Sequence, residues 1–199
     1  MKVGLSIASA SFEPDSYTGA QLIIERAREA NQVGLDLLSL GDHHLTPINY
    51  FQNVPMLGRL LAEWQAGPVG CLFLLPLWNP VLVAEQVGTL AALTKATFVI
   101  QTGVGEGEET FKAMGASMKT RGADLEKKIV IIKSLFTKSD SDLQVNPVPT
   151  QKIEWWIGAS TSKEGIRRAA RLGDAWYAAP FLNTSKAGEL LESYLEAVS

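Results

Sequence analysis

The only two histidines of this 199-residue chain, His43 and His44, follow Asp42 at the end of a short apolar run. Histidine titrates near neutral pH, so it can transfer protons, and a carboxylate beside it can orient its ring. Adjacent strand residues point to opposite faces, so this triplet does not predict a metal site. We expect Asp42, His43 and His44 to line a site for acid–base chemistry. The alternative is a polar strand end whose histidines only bond a neighbouring loop.

Two further segments could hold a ligand through the backbone. Thr102–Glu109 reads TGVGEGEE, and its three alternating glycines let the main chain approach a flat or phosphorylated ligand. It is not the dinucleotide fingerprint, because only GxGxG is present and we expect no helix directly at the third glycine. Gly158–Ser162 reads GASTS and lies between a predicted strand and a predicted helix, where an anion is favoured. The alternatives are a flexible strand exit and a helix cap by Ser160, Thr161 or Ser162.

The elements that position these segments alternate between strand and helix patterns. Apolar runs predict strands over 2–8, 35–40, 69–75, 98–101, 153–157 and 175–179. Periodic segments predict helices over 18–33, 54–64, 81–93, 121–136, 163–172 and 185–198, and 137–152 is a polar excursion that includes a small hairpin. Repeated βα units predict a parallel sheet, either a barrel or an open sheet. Each polar segment follows a strand, so all should meet at one edge.

Composition excludes several classes of protein. The chain is 46% hydrophobic and 20% charged, and its net charge of −3 comes with scattered basic residues, which argues against nucleic-acid binding. The apolar run 69–77 is too short to span a membrane, and no signal-peptide pattern is present, so we expect a cytoplasmic protein. The single cysteine, Cys71, excludes an internal disulfide and is expected to be a core thiol. We expect a single domain over 1–199.

Four segments together resemble the bacterial-luciferase-like superfamily of flavin-dependent monooxygenases. They are GLDLLSLGDHH at 34–44, LPLWNPVLVAEQVGTL at 75–90, FVIQTGVGEGEETFKAMG at 98–115 and WWIGASTSKEGIRRAARLGDAWY at 155–177. The resemblance implies a TIM-barrel-like α/β fold that binds reduced FMN or, in a sister branch, the 5-deazaflavin coenzyme. Such barrels have eight βα units, and this chain shows about six. The barrel is therefore incomplete, with open edges that are either exposed or covered by a partner chain, and we expect a homodimer.

The resemblance also assigns roles by position. His43 resembles the active-site histidine, with His44 beside it and Asp42 or a backbone carbonyl fixing its tautomer. The implied cofactor-binding residues are Thr102, Gly103, Val104 and Gly105 beneath the flavin ring, Gly158, Ala159, Ser160, Thr161 and Ser162 around the ribityl phosphate, and Leu72 against the isoalloxazine. A cis bond between Cys71 and Leu72 would mark a retained flavin platform. Family members often carry a basic residue in the glycine turn, where this chain has Val104 and Glu106, so Lys163 or Arg167 would have to supply the charge.

Three functions stay open. The first is a monooxygenase that acts on a small organic substrate with O2 and with reduced FMN from a separate flavin reductase. The second is a non-catalytic flavin-binding or partner-dependent protein that has lost the last barrel units. The third is an oxidoreductase that transfers hydride with 5-deazaflavin. Oxygen uptake with reduced FMN separates the first from the others, and cofactor titration separates the second from the third.

Overall fold

A computed structural model describes residues 1–65, 67–137, 144–160 and 162–198. The strands are β1 (Gly4–Ile7), β2 (Ala10–Ser11), β3 (Leu37–Leu40), β4 (Asn49–Tyr50), β5 (Val69–Phe73), β6 (Phe98–Thr102), β7 (Ile153–Ala159) and β8 (Ala175–Ala178). The helices are α1 (Ser16–Gln32), α2 (Asn53–Leu60), α3 (Pro80–Ala92), α4 (Glu108–Ala113), α5 (Arg121–Phe136), α6 (Lys163–Leu172) and α7 (Thr184–Val198). A short 3₁₀ turn over Leu75–Leu77 follows β5.

Six of the strands form one parallel sheet in the order β1-β3-β5-β6-β7-β8. This strictly sequential order is that of a barrel wall, because a doubly wound sheet reverses its strand order at a switch point. The predicted parallel sheet of six βα units is confirmed, and it forms a half-barrel. The outer edges of β1 and β8 pair with no strand in the described part of the chain.

The two faces of the sheet differ in character, because side chains alternate along each strand. On one face, Val69, Cys71 and Phe73 of β5 are fully buried within the apolar core. On the concave face, small and polar residues such as Ser39 and Gln101 border a cavity of about 590 Å³. Gly70 pairs in register with Ser39, and a Cβ on Gly70 would come 2.9 Å from the Ser39 Cβ and 3.3 Å from the Gln101 side chain. Glycine is therefore required in this row.

Two regions differ from the sequence-based expectation. The prediction that no helix follows the third glycine is wrong, because α4 begins directly after Gly107, whose φ of 95° suits glycine. Strands β2 and β4 were not predicted, and they pair antiparallel through Ala10–Tyr50 and Ser11–Asn49. Strands of two residues carry no periodic signal. Of the predicted hairpin, 138–143 lie outside the described residues, and 144–152 contain no strand.

Gly88 marks a point where α3 touches the end of the polar excursion. A Cβ at this position would overlap the carbonyl oxygen of Pro147, whereas a Cβ on Gly58 of α2 would meet only a Leu90 methyl group at 3.8 Å. We expect Gly88→Ala to lower the free energy of unfolding by about 1–3 kcal/mol through overpacking. Gly58→Ala, the matched control, should raise it by about 0.5–1 kcal/mol, because alanine favours the helix. Urea denaturation measures both, and equal stability of the two variants would contradict this packing.

Glu126 of α5 joins that helix to α6 through two arginines. Its Oε1 accepts from Arg168 Nε at 2.9 Å, and its Oε2 accepts from Arg171 Nη2 at 2.6 Å. The bond from Arg171, with that from Arg168, holds the pKa of Glu126 below its usual range. A carboxyl with a lowered folded-state pKa stabilises the fold above its unfolded-state pKa, and this contribution disappears as the pH falls through the folded value.

We therefore expect Glu126→Gln to lower the free energy of unfolding by about 1–2 kcal/mol at pH 7, since Arg168 is only 10% exposed and loses its charged partner. The difference from the wild type should shrink as the pH falls below 4.5, the ordinary value for glutamate. The control is Glu189→Gln, which breaks an exposed pair with Lys186 and should change little. An equal loss at acidic and neutral pH would show that the charge is not the cause.

Candidate functional site

Asp42 is a buried carboxylate that ties the end of β3 to the end of β5. Its side chain is 0% exposed. Its Oδ2 accepts from the Leu74 backbone N–H at 2.8 Å and from the Trp78 indole N–H at 2.7 Å. Burial raises the pKa of Asp42, while the Leu74 N–H, His44 and Trp78 act in the opposite direction. Two donors from the exit of β5 therefore hold the Asp42 carboxylate in place, as expected of a residue that positions its neighbours.

His44 is held against this carboxylate. Its Nε2 lies 3.3 Å from the second carboxylate oxygen of Asp42, and its side chain is 11% exposed. Neither of these two atoms forms a well-aligned hydrogen bond. The imidazole lies 5.6 Å from the Trp78 ring, which in turn meets Phe73 edge-on at 5.4 Å. His44 is therefore wedged between Asp42 and an aromatic cluster.

His43 points elsewhere and is exposed. Its ring lies 5.9 Å from that of Tyr50, and its carbonyl accepts from Gln52 Nε2 at 3.2 Å. Asp42 or a backbone carbonyl was expected to fix the tautomer of His43, but the Asp42 carboxylate contacts His44 instead. Burial raises the pKa of Tyr50 to about 12, so its phenol keeps its proton at neutral pH. An exposed imidazole beside a phenolic donor remains available to a ligand.

The glycine segment after β6 lies next to the end of β5. The Thr102 hydroxyl donates to the Phe73 carbonyl at 2.8 Å, and the Gly103 N–H donates to the same oxygen at 3.4 Å. A Cβ on Gly103 would meet only the Leu74 side chain, at 3.8 Å, so the space beside it is open. Gly105 has a φ of 70°, and a Cβ there would also contact Leu74. Leu74 therefore contacts Asp42 through its backbone N–H and faces the glycine segment with its side chain.

The loop after β7 continues the same edge. A Cβ on Gly158 would come 2.9 Å from the Thr102 carbonyl oxygen, so the two segments touch through backbone. Ser162 caps α6, because its Oγ accepts from the Gly165 N–H at 3.0 Å. Ala159 accepts from the Trp176 indole at 2.8 Å, and Ser160 is half-buried. Thr161 lies outside the described residues.

The charges around these loops favour an anion at α6 rather than at α4. Lys163 and Arg167 lie in the first half of α6 and are exposed, and they outnumber the one acid there, Glu164. Glu106 is exposed in the glycine segment, and Glu108 and Glu109 occupy the first turn of α4. Val104, the other candidate position for the basic residue of the glycine turn, packs against the core. A phosphate would therefore be repelled at the start of α4 and attracted at the start of α6.

Leu72 of β5 is half-buried and pairs in register with Gln101 of β6. The bond between Cys71 and Leu72 is trans, since Asn146–Pro147 is the only cis bond among the described residues. The cis marker expected from the resemblance is therefore not found. The buried Asn53 donates its amide to the Leu72 carbonyl at 2.6 Å. Nothing in the sequence pointed to this contact, nor to the roles of Leu74 and Trp78.

The described ranges hold no group of three or more His, Cys, Asp or Glu side chains that could bind a metal ion. Within the same ranges, no helix is long and apolar enough to cross a membrane. Burial raises the pKa of the Cys71 thiol well above its ordinary value, in keeping with its place in the core.

Comparison with known proteins gives a family match over the whole chain and curated relatives that align with 51% of it. A family model described as luciferase-like monooxygenase matches residues 1–199. Uncharacterized proteins of Mycobacterium tuberculosis and Mycobacterium bovis are 31% identical over 112 residues, which is 51% of this chain and 38% of theirs. The aligned part is thus well under half the length of these curated relatives.

Three solved structures share the fold. The chain matches apo-MsnO8 with a TM-score of 0.82 at 23% identity, covering 100% of this chain and 61% of that one. It matches the FMN complex of the oxygenating constituent of 3,6-diketocamphane monooxygenase from Pseudomonas putida with a TM-score of 0.85 at 14% identity, covering 100% and 62%. An F420-dependent secondary alcohol dehydrogenase matches with a TM-score of 0.77 at 19% identity, covering 99% and 65%. The predicted partial TIM-type barrel is confirmed.

Proposed function

The chain belongs to the luciferase-like monooxygenase family, and from this premise we propose that the loops after β3, β5, β6 and β7 bind a flavin. The protein then serves as an oxidoreductase that uses reduced FMN and O2 on a small organic substrate. One observation carries this proposal: the loops form an unbroken line of contacts. Asp42 binds the Leu74 N–H, Leu74 adjoins Gly103, and Thr102 touches Gly158.

The residues of this edge fit a flavin nucleotide. Leu72 and the open space beside Gly103 suit a flat ring, because no side chain fills that space. Gly158 and Ser160, with the start of α6 and the charge of Lys163, suit its phosphate. When bound, reduced FMN supplies electrons and reacts with O2, so the protein's part is binding, orientation, water exclusion and proton transfer.

The protein's own residues divide these tasks. His43 is the acid–base group, because its imidazole is exposed at the edge and lies beside Tyr50. Tyr50 keeps its proton at neutral pH and serves as a hydrogen-bond donor. Asp42 and His44 are positioning residues that hold the β3 exit against β5. In this proposal the exposed His43 ring transfers the proton, and Asp42 and His44 hold the loop that carries His43 in position.

Flavin titration tests the proposal. The purified chain is titrated with reduced FMN, oxidised FMN and 5-deazaflavin, and flavin fluorescence and thermal melting are followed. Saturable binding with a rise in Tm supports a working site, because a ligand that binds only the folded state stabilises it. A well-folded chain that binds none of the three contradicts the proposal.

A variant sharpens this test. We expect Gly103→Leu to weaken flavin binding at least tenfold, because its side chain would occupy the open space above the turn. The control is Gly188→Leu on α7, where a Cβ would meet nothing within 4 Å and which lies far from the loops in sequence. Thermal melting of the unliganded variants shows whether each has folded. Equal affinity of the two variants would place the flavin away from Gly103.

A second candidate is hydride transfer with 5-deazaflavin, which the likeness to an F420-dependent alcohol dehydrogenase favours. A third is a flavin-binding protein without catalysis, which the unpaired edges of β1 and β8 favour. Oxygen uptake in the presence of a flavin reductase distinguishes the monooxygenase from both. Preferential binding of the deazaflavin then distinguishes hydride transfer from simple flavin binding.

A further inference from the structure

We propose that a second site, for a small organic carboxylate, lies between the exit of β5 and the first half of α5. A cavity of about 510 Å³ is formed there by 76–80 on one side and by 114–117 with Thr120, Asp124 and Lys128 on the other. This cavity, the carboxylate cavity, adjoins the flavin-binding edge, because 76–79 belong to the loop after β5 and Trp78 bonds to Asp42. The proposal does not depend on the proposed function.

Lys128 supplies the positive charge. Its Nζ donates to the Pro76 carbonyl at 2.8 Å, and its side chain is half-buried. An ammonium has three donors, so two remain after this bond. In the described part of the chain no carboxylate oxygen lies within 4 Å of it, whereas Arg28, Lys152 and Arg168 each have such a partner. The Asp124 carboxylate, four residues earlier on α5, attracts this ammonium only from beyond 4 Å. A partly desolvated cation that borders a cavity with no acid in contact is suited to an anionic ligand.

The other polar groups of the carboxylate cavity are mostly committed. Asp124 is its acidic group, and Asp124 Oδ2 already accepts from the Thr120 hydroxyl at 2.7 Å. Asn79 caps α3, because its Oδ1 accepts from the Val81 N–H at 2.9 Å, which leaves its amide Nδ2 as a donor. The side-chain donors that remain are therefore the Lys128 ammonium, the Asn79 amide and the Ser117 hydroxyl, and a carboxylate accepts from all three kinds.

Apolar surface defines the rest of the ligand. Leu77, Trp78 and Pro80 border the carboxylate cavity, and Met114 is 38% exposed beside them. These side chains suit an aromatic or branched hydrocarbon group attached to the carboxylate. Because the Trp78 indole N–H is bonded to Asp42, its environment is fixed in the free protein. Its resonance is therefore a sensitive reporter of an occupant.

The experiment uses benzoate as the probe and benzamide as its neutral counterpart. Both are titrated into ¹⁵N-labelled protein at pH 7 without flavin, and the indole N–H signals of the five tryptophans are followed. We expect benzoate to shift the Trp78 signal saturably and benzamide to bind at least tenfold more weakly. Lys128→Met should weaken benzoate binding at least tenfold, while Lys127→Met, which removes an exposed neighbouring lysine, should leave it unchanged.

Each other outcome overturns the proposal. Benzamide binding as tightly as benzoate would show that charge is not recognised, and this comparison needs no variant. If Lys128→Met and Lys127→Met weakened benzoate binding equally, the cause would be the net charge of the protein and not a contact with Lys128. A Trp78 signal that does not move at millimolar benzoate would exclude the site. No flavin is present in these titrations, so their failure is independent of a failure of the proposed function.

Discussion

Replacing Asp42 with alanine is expected to lower the free energy of unfolding by about 2–4 kcal/mol, because two buried donors lose their acceptor. The donors are the backbone N–H of Leu74 and the indole N–H of Trp78, which both bond to one oxygen of a side chain that is 0% exposed. Urea denaturation at pH 7 measures the loss. The control is Asp36→Ala, which removes an exposed bond to the Val3 N–H and should cost under about 1 kcal/mol.

The variant Asp42→Asn separates hydrogen bonding from charge. Burial raises the folded-state pKa of Asp42 above 3.8, so its proton-linked stabilisation is complete below pH 3.8 and is lost as the pH rises through the raised folded value. The asparagine side chain does not titrate. The free energy of unfolding of Asp42→Asn should therefore rise relative to that of the wild type over the same rise in pH. A pH-independent difference between them would contradict the burial of an ionisable carboxyl.

Replacing His43 with alanine is expected to lower turnover about 10²-fold or more, since general acid–base groups contribute on that scale. The free energy of unfolding should stay within about 0.5 kcal/mol of the wild type, because the side chain is exposed. Oxygen uptake with reductase-supplied FMN measures turnover, and flavin titration shows whether cofactor binding is retained. Unchanged turnover would remove His43 from the mechanism.

His44→Ala is the matched comparison, and its effects should fall mainly on stability. The substitution removes the ring contact with Trp78 and leaves one oxygen of Asp42 buried without a neighbour. We expect a loss of about 1–2 kcal/mol in the free energy of unfolding. The roles would be the reverse if His44→Ala kept its stability but lost turnover while His43→Ala stayed fully active. His44 would then be the acid–base group.

Much of the fold could be predicted because its elements are long and regular. Helix α5 was predicted over 121–136 and is found there, since its apolar residues recur with helical spacing and Leu125, Ile129 and Ile132 are buried. Helix α6 also has its predicted bounds, with Ser162 as its cap. Strands β2 and β4 depend on a contact between residues about 40 apart, which local patterns do not reveal.

The site was predicted as a region but not as a set of contacts. The rule that parallel strands end at one edge brings the polar segments together. The alternation along an extended chain also places Asp42 and His44 on one side and His43 on the other, so the pairing of Asp42 was open to prediction. Asp42 accepts hydrogen bonds from Leu74 and Trp78, which lie 32 and 36 residues further along the chain. These bonds depend on how β5 ends. Such tertiary contacts leave no local pattern.

Among the described residues, the outer edges of β1 and β8 pair with no strand, and this has a consequence for the behaviour of the protein in solution. Each presents a row of main-chain donors and acceptors that water satisfies in the monomer and that another polypeptide could satisfy instead. Any molecule that covers these rows binds only the folded form, and so it shifts the folding equilibrium by mass action. If a second copy of the chain is the molecule that covers them, the melting temperature rises with protein concentration.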